Sequence, residues 1–263
     1  MPYPLSDLPY GLRCRLGELA TRSERYCLHI AAGCKDICPP TLQTVKTVEK
    51  LVIAKKNGAL VVSVDDGPEE LFDKGELFQC YELNLKSLNE KDLTMEIVTL
   101  QLTFLNIDNC DTTRAFLKKM ANLTFPNMKY VSIYFTDNDE SSTICLSAMF
   151  TAFPSVERVV LLYAYPTSWM PILEPRQTTK LRDLEMCISD VNAFKGVDFQ
   201  AFYEKQTKKF HMLLDFKNTS DSDNKKLKKI VSRYFVRVET TSNNINFVVR
   251  YHDGTECYTL KEN

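Results

Sequence analysis

The chain is poor in the residues that build common active sites. Its 263 residues include eight glycines, three histidines and one tryptophan. Neither G-x-G-x-x-G nor G-x-x-x-x-G-K-[ST] occurs, so a loop that cradles nucleotide phosphates is not expected. His29, His211 and His252 are far apart in the sequence, and none adjoins a Ser-x-Gly turn or a catalytic-cysteine signature. We therefore expect a protein that is not an enzyme and uses no cofactor.

A zinc site also lacks support in the sequence. His29, Cys34 and Cys38 are near one another, but a fourth ligand at zinc-like spacing is missing. We expect these residues to pack on a helix face and to bind no metal.

Long hydrophobic runs and an excess of one charge are missing as well. The longest apolar run, residues 159–165, has seven residues, whereas a membrane span needs about 20. The first residues lack the charged segment that opens a signal peptide. A net charge of -1 gives no overall attraction to nucleic acid or to an anionic membrane. These absences predict a protein without membrane contact.

The nine cysteines are odd in number and scattered through apolar surroundings. That distribution is typical of free thiols in a reducing compartment, not of a disulfide framework. We expect a cytoplasmic or nuclear location.

A local excess of basic residues lies between Lys205 and Arg237 and includes the run from Lys225 to Lys229. Such a segment could contact phosphates, so nucleic-acid binding is one alternative function. Apolar residues recur among the lysines, which favours the interpretation that this is the solvated outer face of a helix.

The first stretch with helical spacing is LPYGLRCRLGEL, residues 8–19. Its leucines recur every three or four positions, at Leu8, Leu12, Leu16 and Leu19. Pro9 stands at the helix start, where its missing N–H costs nothing. A second helix is predicted from Thr21, because Thr21 and Glu24 have the spacing of a capping box, and Gly33 is predicted to end it.

The pattern changes after the second helix. Residues 38–50 are a candidate linker, because Pro39 and Pro40 cannot continue a helix and the following residues are polar. The sequence thus predicts a helical module over residues 1–45, with a linker to about 50, and a second domain over residues 51–263. Within that domain, residues 60–64 are predicted to form a strand that ends in a turn at residues 65–68.

Four segments downstream share a spaced motif, apolar-x-x-apolar-x-apolar-x-apolar. They begin at Ile97, Met128, Val156 and Leu181, at intervals of 31, 28 and 25 residues. Partial units begin at Cys80 and Phe210, and segments with helical spacing lie between the units. Such a motif every ~20–29 residues is the signature of a leucine-rich-repeat solenoid. The alternative is an ordinary α/β domain without a solenoid.

The end of the chain has a different pattern. Residues 221–234 have helical spacing, and residues 235–238, 246–251 and 256–260 have the composition of strands. Asp253-Gly254 predicts a hairpin between the last two. An antiparallel unit of this kind would cover the core of the last repeat. The predicted fold class is therefore mixed α/β, with a short helical module, an irregular leucine-rich-repeat-like α/β solenoid and an antiparallel β cap.

A solenoid offers one face of its sheet to a partner. Aromatic and aliphatic side chains are frequent on and after two of the predicted strands, at Tyr134, Val160, Leu162, Tyr163, Tyr165 and Trp169. Because aromatic clusters are enriched in interface hot spots, these six are candidate residues for binding a target protein. The alternative for Trp169 is packing over a loop as part of the core.

The N-terminal pattern resembles the F-box. That module begins Leu-Pro, as Leu8-Pro9 does here, and continues with apolar residues at the offsets seen in the first helix. After a short polar break, the second helix carries Tyr26, Leu28 and Ile30. The whole chain looks like a divergent nematode F-box-type protein, in which an irregular leucine-rich-repeat-like region follows the F-box.

The resemblance implies a substrate-recognition adaptor of a cullin-RING ubiquitin ligase of the SCF type. In that role the N-terminal helices bind a Skp-family adaptor, and the repeat-like region binds an unidentified target protein. The residues implied in adaptor binding are Leu5, Leu8, Pro9, Leu12, Leu16, Leu19, Tyr26 and Leu28. The first alternative is a leucine-rich-repeat scaffold without a ligase, whose N-terminal helices cap the solenoid. The second is a nucleic-acid-binding protein that uses residues 205–237.

Overall fold

Most of the chain is organised around one long sheet. The computed structural model describes residues 5–32, 44–72, 76–94, 97–98, 102–123, 128–135, 143–163, 165–166, 179–188, 191–194, 197–216, 220–241, 245–251 and 254–261. These residues form a mixed α/β fold, as predicted, with thirteen strands in a mostly parallel sheet. No helix among them has the length and apolar character needed to cross a membrane.

Six α-helices are described. They are α1 (Tyr10–Leu19), α2 (Arg22–Ala32), α3 (Arg114–Leu123), α4 (Leu146–Ala152), α5 (Phe199–Glu204) and α6 (Asp221–Tyr234). The predicted capping box begins α2, since the Thr21 N–H donates to Glu24 Oε2 at 2.8 Å and the Glu24 N–H donates to Thr21 Oγ1 at 3.3 Å. The first two predicted helices and the helix at residues 221–234 are confirmed. Gly33, the predicted end of α2, lies outside the described residues.

The strands vary in length from two to eleven residues. They are β1 (Lys46–Lys56), β2 (Ala59–Val64), β3 (Glu70–Leu71), β4 (Phe78–Lys86), β5 (Ile97–Val98), β6 (Phe104–Asp108), β7 (Tyr130–Tyr134), β8 (Thr143–Ile144), β9 (Arg158–Leu162), β10 (Tyr165–Pro166), β11 (Asp183–Cys187), β12 (His211–Phe216), β13 (Phe235–Val238), β14 (Phe247–Tyr251) and β15 (Gly254–Leu260).

Eight parallel strands follow one another across the sheet in chain order: β1, β4, β6, β7, β9, β11, β12 and β14. Antiparallel strands extend both ends, with β2 and β3 beside β1 and with β15 and β13 beside β14. The short β5 pairs with β4, and β8 and β10 form a separate parallel pair. The predicted antiparallel strands at the end of the chain are confirmed.

Two rows of apolar side chains cross the eight parallel strands on one face. The first row is Leu51, Leu83, Leu105, Val131, Val159, Leu184, Met212 and Phe247, and the second is Ile53, Leu85, Ile107, Ile133, Leu161, Met186, Leu214 and Val249. Every member is at most 1% exposed. Residues two apart on a strand share a face, so the rows explain the apolar-x-apolar spacing of the motif. Full burial of each side chain contributes about 1.5–3 kcal/mol.

The predicted units that begin at Cys80, Met128, Val156 and Leu181 place the row residues correctly. The unit predicted from Ile97 is wrong by five residues, because Leu105 and Ile107 occupy the rows and the unit therefore begins at Leu102. The partial unit at Phe210 is also wrong, since Met212 and Leu214 face the core side of β12.

The predicted linker, residues 38–50, extends too far toward the C-terminus. Residues 46–50 belong to β1, whose lysines at Lys46, Lys50, Lys55 and Lys56 hide its strand character in the sequence. Val48, Leu51 and Ile53 supply the buried side of the strand. Residues 38–43 of the predicted linker lie outside the described part of the chain.

Candidate protein-binding surfaces

The first candidate surface is an apolar stripe on α1, formed by Leu12, Leu16 and Leu19. Their spacing of four and three residues places them on one helix face. Leu12 is 57% exposed, Leu16 37% and Leu19 69%. Tyr10, on another side of α1, and Ile30 of α2 are also exposed. We call Leu12, Leu16 and Leu19 the α1 stripe.

The remaining residues predicted to bind an adaptor lie in the same part of the chain. Leu5 and Leu8 are half-buried, and the Leu8 N–H donates to the Leu5 carbonyl oxygen at 3.2 Å. Pro9 is exposed, and its carbonyl oxygen accepts the first hydrogen bonds of α1, from the N–H groups of Leu12 and Arg13. Tyr26 and Leu28 are half-buried on α2. All eight residues therefore lie on two consecutive short helices and the turn before them.

The two helices have little core of their own. Gly17 is buried, and no residue of α2 whose burial is described is buried. Helices of 10 and 11 residues are marginally stable in isolation, and most helix stability in proteins comes from packing of an apolar face. The exposed leucines of α1 are therefore available to pack against another molecule.

The second candidate surface lies on the sheet face opposite the two apolar rows. Three aromatic rings form a continuous strip across β4, β6 and β7: Tyr81, Phe104 and Tyr130. The ring centroids of Tyr81 and Phe104 are 5.2 Å apart, and those of Phe104 and Tyr130 are 5.3 Å apart. Tyr81 is 45% exposed, and the other two rings are half-buried. We call these three residues the aromatic strip.

Arg158 of β9 continues the strip. Its guanidinium carbon lies 5.3 Å from the centroid of the Tyr130 ring, within the range of a cation–π interaction. Arg158 is in register between Tyr130 and Asp183 of the neighbouring strands. Asp183 accepts a hydrogen bond from Arg182 Nε at 3.0 Å. The strip thus ends in an exposed cation.

A polar network adjoins the other end of the strip. Asn106 Nδ2 donates to Asn84 Oδ1 at 2.7 Å and to Glu82 Oε1 at 3.1 Å, and Asn84 Nδ2 donates to the same Glu82 oxygen at 2.9 Å. These bonds fix the Glu82 carboxylate on β4. A carboxylate therefore lies next to Tyr81, and a guanidinium lies over Tyr130.

His211 of β12 lies among charges of both signs. Its partial burial lowers its pKa below 6.5, and the nearby cations Arg158 and Arg250 act in the same direction, whereas Asp183 and Glu185 oppose them. Arg250 Nη1 also lies 3.4 Å from Glu185 Oε1. The folded protein consequently favours the neutral imidazole.

This shift predicts a loss of stability in mild acid. Well above pH 6.5 the imidazole is neutral in both states, but as the pH falls through 6.5 the unfolded chain binds the proton first and unfolding becomes more favourable. We expect the melting temperature to fall less between pH 7.5 and 5.5 in His211→Gln than in the wild type, as measured by circular dichroism. Equal falls in the two proteins would contradict the prediction.

The residues predicted to bind a target are only partly brought together. Tyr134, Leu162 and Tyr163 lie at the carboxyl ends of β7 and β9, half-buried, with the rings of Tyr134 and Tyr163 5.9 Å apart. The predicted exposure of Val160 is wrong: it is 5% exposed, in mid-strand between its register partners on β7 and β11. The side chain of Tyr165, and Trp169, lie outside what the structure describes.

The sequence patterns did not identify the aromatic strip. Phe104, Tyr130 and Arg158 each immediately precede a residue of the first apolar row. When the unit is begun at Leu102, the sequence shows that an aromatic or basic residue recurs at this position. Because the unit was predicted to begin at Ile97, Phe104 was assigned to the core instead.

The basic segment near the end of the chain is partly neutralised within the chain. Lys228 and Arg237 lie 3.0 Å and 3.4 Å from Glu256 Oε1, and Lys226 lies 2.9 Å from Asp223 Oδ1. Leu227 and Val231 are buried on the other side of α6. These contacts agree with the interpretation of α6 as a helix with a solvated outer face.

Neither a disulfide nor a group of metal ligands occurs among the described residues. The seven cysteines there are free thiols. Within the same residues, no three His, Cys, Asp or Glu side chains are grouped in a way that could hold a metal ion. Cys34 and Cys38 lie outside the described part.

Comparisons of the chain with models of known protein families, with curated proteins and with solved structures find no match. Function must therefore be inferred from the residues and the geometry of the two surfaces.

Proposed function

We propose that the protein is a substrate-recognition adaptor of an SCF-type cullin-RING ubiquitin ligase. In this proposal α1 and α2 dock on a Skp-family adaptor, and the sheet binds a target protein. The exposed α1 stripe is the observation that carries the proposal. The F-box resemblance assigns adaptor docking to the same leucines, and the structure leaves them uncovered.

Docking would stabilise both the complex and the helices. Each leucine that moves from water into an apolar interface contributes up to about 1.5–3 kcal/mol before the costs of association. A helical module of about 40 residues is near the lower size limit for independent folding, so contact with a partner would also order it. The stripe is an exposed apolar helix face, the kind of surface that packs against another protein.

The sheet supports a leucine-rich-repeat-like solenoid as the target-binding part. Eight parallel strands lie in chain order, and each contributes the same two positions to the apolar rows. The unit from Leu102 has the form L-x-x-L-x-I-x-x-C and ends at Cys110, a position where leucine-rich repeats carry Asn or Cys. Cys110 Sγ accepts a hydrogen bond from the Leu88 N–H at 3.3 Å, which joins adjacent units at their turns.

Two observations bear on the alternative role of a cap. Helix α2 contacts the short β5, but a cap at the end of the sheet would have to cover the free side of β1. Strand β2 already occupies that side through six residue pairs in register. The mechanism would then be proximity, because one chain that binds both ligase and target raises the effective concentration of each for the other.

Gel filtration with a purified Skp-family adaptor tests the proposal. The full chain is expected to co-elute with the adaptor, and Leu12→Asp or Leu19→Asp is expected to weaken the complex at least about a hundredfold, because an interface leucine becomes a desolvated charge. Leu71→Asp is the matched control, since Leu71 is 75% exposed on β3 and lies outside α1.

Two results would oppose the proposal. A wild-type chain that never co-elutes would favour the scaffold without a ligase. A complex weakened equally by Leu71→Asp would show that the α1 stripe is not the contact.

A further inference from the structure

The sheet face opposite the apolar rows carries the guanidinium of Arg158, which could bind an anion. Arg158 is exposed and lies over the Tyr130 ring, and it makes no ion pair with any other described residue. The carboxylate in register with it, Asp183, is engaged by Arg182. A guanidinium held against an aromatic face keeps its fork of donors free for a carboxylate or a phosphate.

We propose that the aromatic strip and Arg158 bind an extended segment of the target protein, with apolar or prolyl side chains on the three rings and an anionic side chain on the guanidinium. This inference rests on the proposed function, in which the sheet binds the target, and it specifies the chemistry of the segment that is bound.

The dimensions of the strip fit a short extended peptide that crosses the strands. Neighbouring strands are about 4.8 Å apart, so the three intervals from β4 to β9 span about 14 Å. An extended or polyproline chain advances about 3.1–3.3 Å per residue, so four or five residues cover this distance. The occupant is therefore a single chain segment.

The tilt of the rings favours apolar and prolyl side chains. Tyr81 and Phe104 are inclined by 57°, and Phe104 and Tyr130 by 54°, so the three rings do not form one flat surface. Rows of aromatic rings accept the side chains of a polyproline segment, which loses little conformational entropy on binding.

The charges at the two ends select the direction of the segment. Glu82, held by Asn84 and Asn106, repels an anion at the β4 end, and Arg158 attracts one at the β9 end. Complementary charges of this kind fix register and exclude wrong partners more than they add affinity. The bound segment therefore carries its anionic group on one side of its apolar residues.

A library of random dodecapeptides displayed on phage and selected on the full chain tests the inference. Enriched peptides are expected to combine prolyl, aliphatic or aromatic residues with a nearby Asp or Glu. In synthetic copies, replacing the acidic residue by its amide should weaken binding about tenfold. Arg158→Gln should weaken binding of the acidic peptide by the same factor and leave binding of the amide peptide unchanged. A phosphoserine copy that binds more tightly, and only with Arg158 present, would identify a phosphorylated segment as the source of the anion.

Arg233→Gln is the matched control, because Arg233 is an exposed arginine in the last turn of α6 and lies outside the aromatic strip. The inference is overturned if no peptide is enriched, if the enriched peptides carry no anionic residue, or if Arg233→Gln has the same effect as Arg158→Gln. It is also overturned if the wild-type chain dimerises at the selection concentration and Phe104→Ser abolishes the dimer, since a second copy would then be the occupant. Peptide binding is measured without the adaptor, and Arg158→Gln should still co-elute with the adaptor, so this test can fail independently of the docking test.

Discussion

Phe247→Ala is expected to lower the free energy of unfolding by about 3–5 kcal/mol. Phe247 is fully buried in the first apolar row, and its ring lies 4.7 Å from Phe235 and 5.8 Å from Tyr258. Phe199 of α5 approaches it at 6.2 Å. Alanine would leave a cavity between α5 and three strands, because the surrounding rings cannot collapse into it without leaving their own contacts.

Urea denaturation followed by circular dichroism would measure this loss. Val236→Ala is the control, because Val236 is 49% exposed on the same edge strand as Phe235 and should change the free energy of unfolding by no more than about 0.5 kcal/mol. Similar losses in the two variants would mean that the C-terminal aromatic cluster is not part of the cooperative core.

The second large effect is expected at Glu256, whose side chain is 12% exposed. Tyr258 donates its hydroxyl hydrogen to Glu256 Oε2 at 2.5 Å, and the ammonium of Lys228 and the guanidinium of Arg237 lie 3.0 Å and 3.4 Å from Oε1. Burial alone would raise the pKa of Glu256. The hydrogen bonds from Tyr258 and Lys228, with the two positive charges, outweigh burial and hold this pKa below 4.5.

Glu256→Gln should therefore lower the free energy of unfolding at pH 7 by about 1.5–3 kcal/mol, because the hydrogen bonds lose their charged acceptor. The sign of the pH dependence follows from the lowered pKa. The stabilisation by the carboxylate is complete above pH 4.5 and is lost as the pH falls through the lower pKa of the folded state.

Urea titrations at several pH values between 7 and 3 would test this, and the gap between the wild type and Glu256→Gln should narrow as the pH falls below 4.5. Glu69→Gln serves for comparison, since Glu69 pairs with Lys56 on the exposed surface and should contribute no more than about 1 kcal/mol. A gap that is constant with pH would rule out the charge of Glu256 as its cause.

Local patterns predicted the parts of the fold that depend on neighbouring residues. The capping box at α2 joins two residues three positions apart, so its partners can be found without knowledge of the rest of the chain. The row residues of β7, β9 and β11 were predicted for the same reason, because their motif fits within eight residues. The α1 stripe was predicted from one helix, although its exposure depends on what the rest of the chain covers.

Features that depend on alignment between distant strands were missed. The run Ile97, Leu100 and Leu102 imitates the motif, and only pairing with β4 and β7 shows that β6 uses Leu105 and Ile107. The lysines of β1 concealed a strand that becomes evident beside β4. The aromatic strip exists only after β4, β6 and β7 are set in register, so its rings come from separate units of the sequence.

Because the parallel strands follow one another in chain order, the loops and the exposed sheet face can vary without a change in the buried apolar rows. Each of the six strands between β1 and β14 hydrogen-bonds to the parallel strands before and after it in the chain, so a connection between two strands can gain or lose residues while both keep their neighbours. The exposed residues that face away from the apolar rows can likewise change without disturbing the core. A lineage that carries this architecture can therefore acquire new binding preferences by small local substitutions while its framework stays the same.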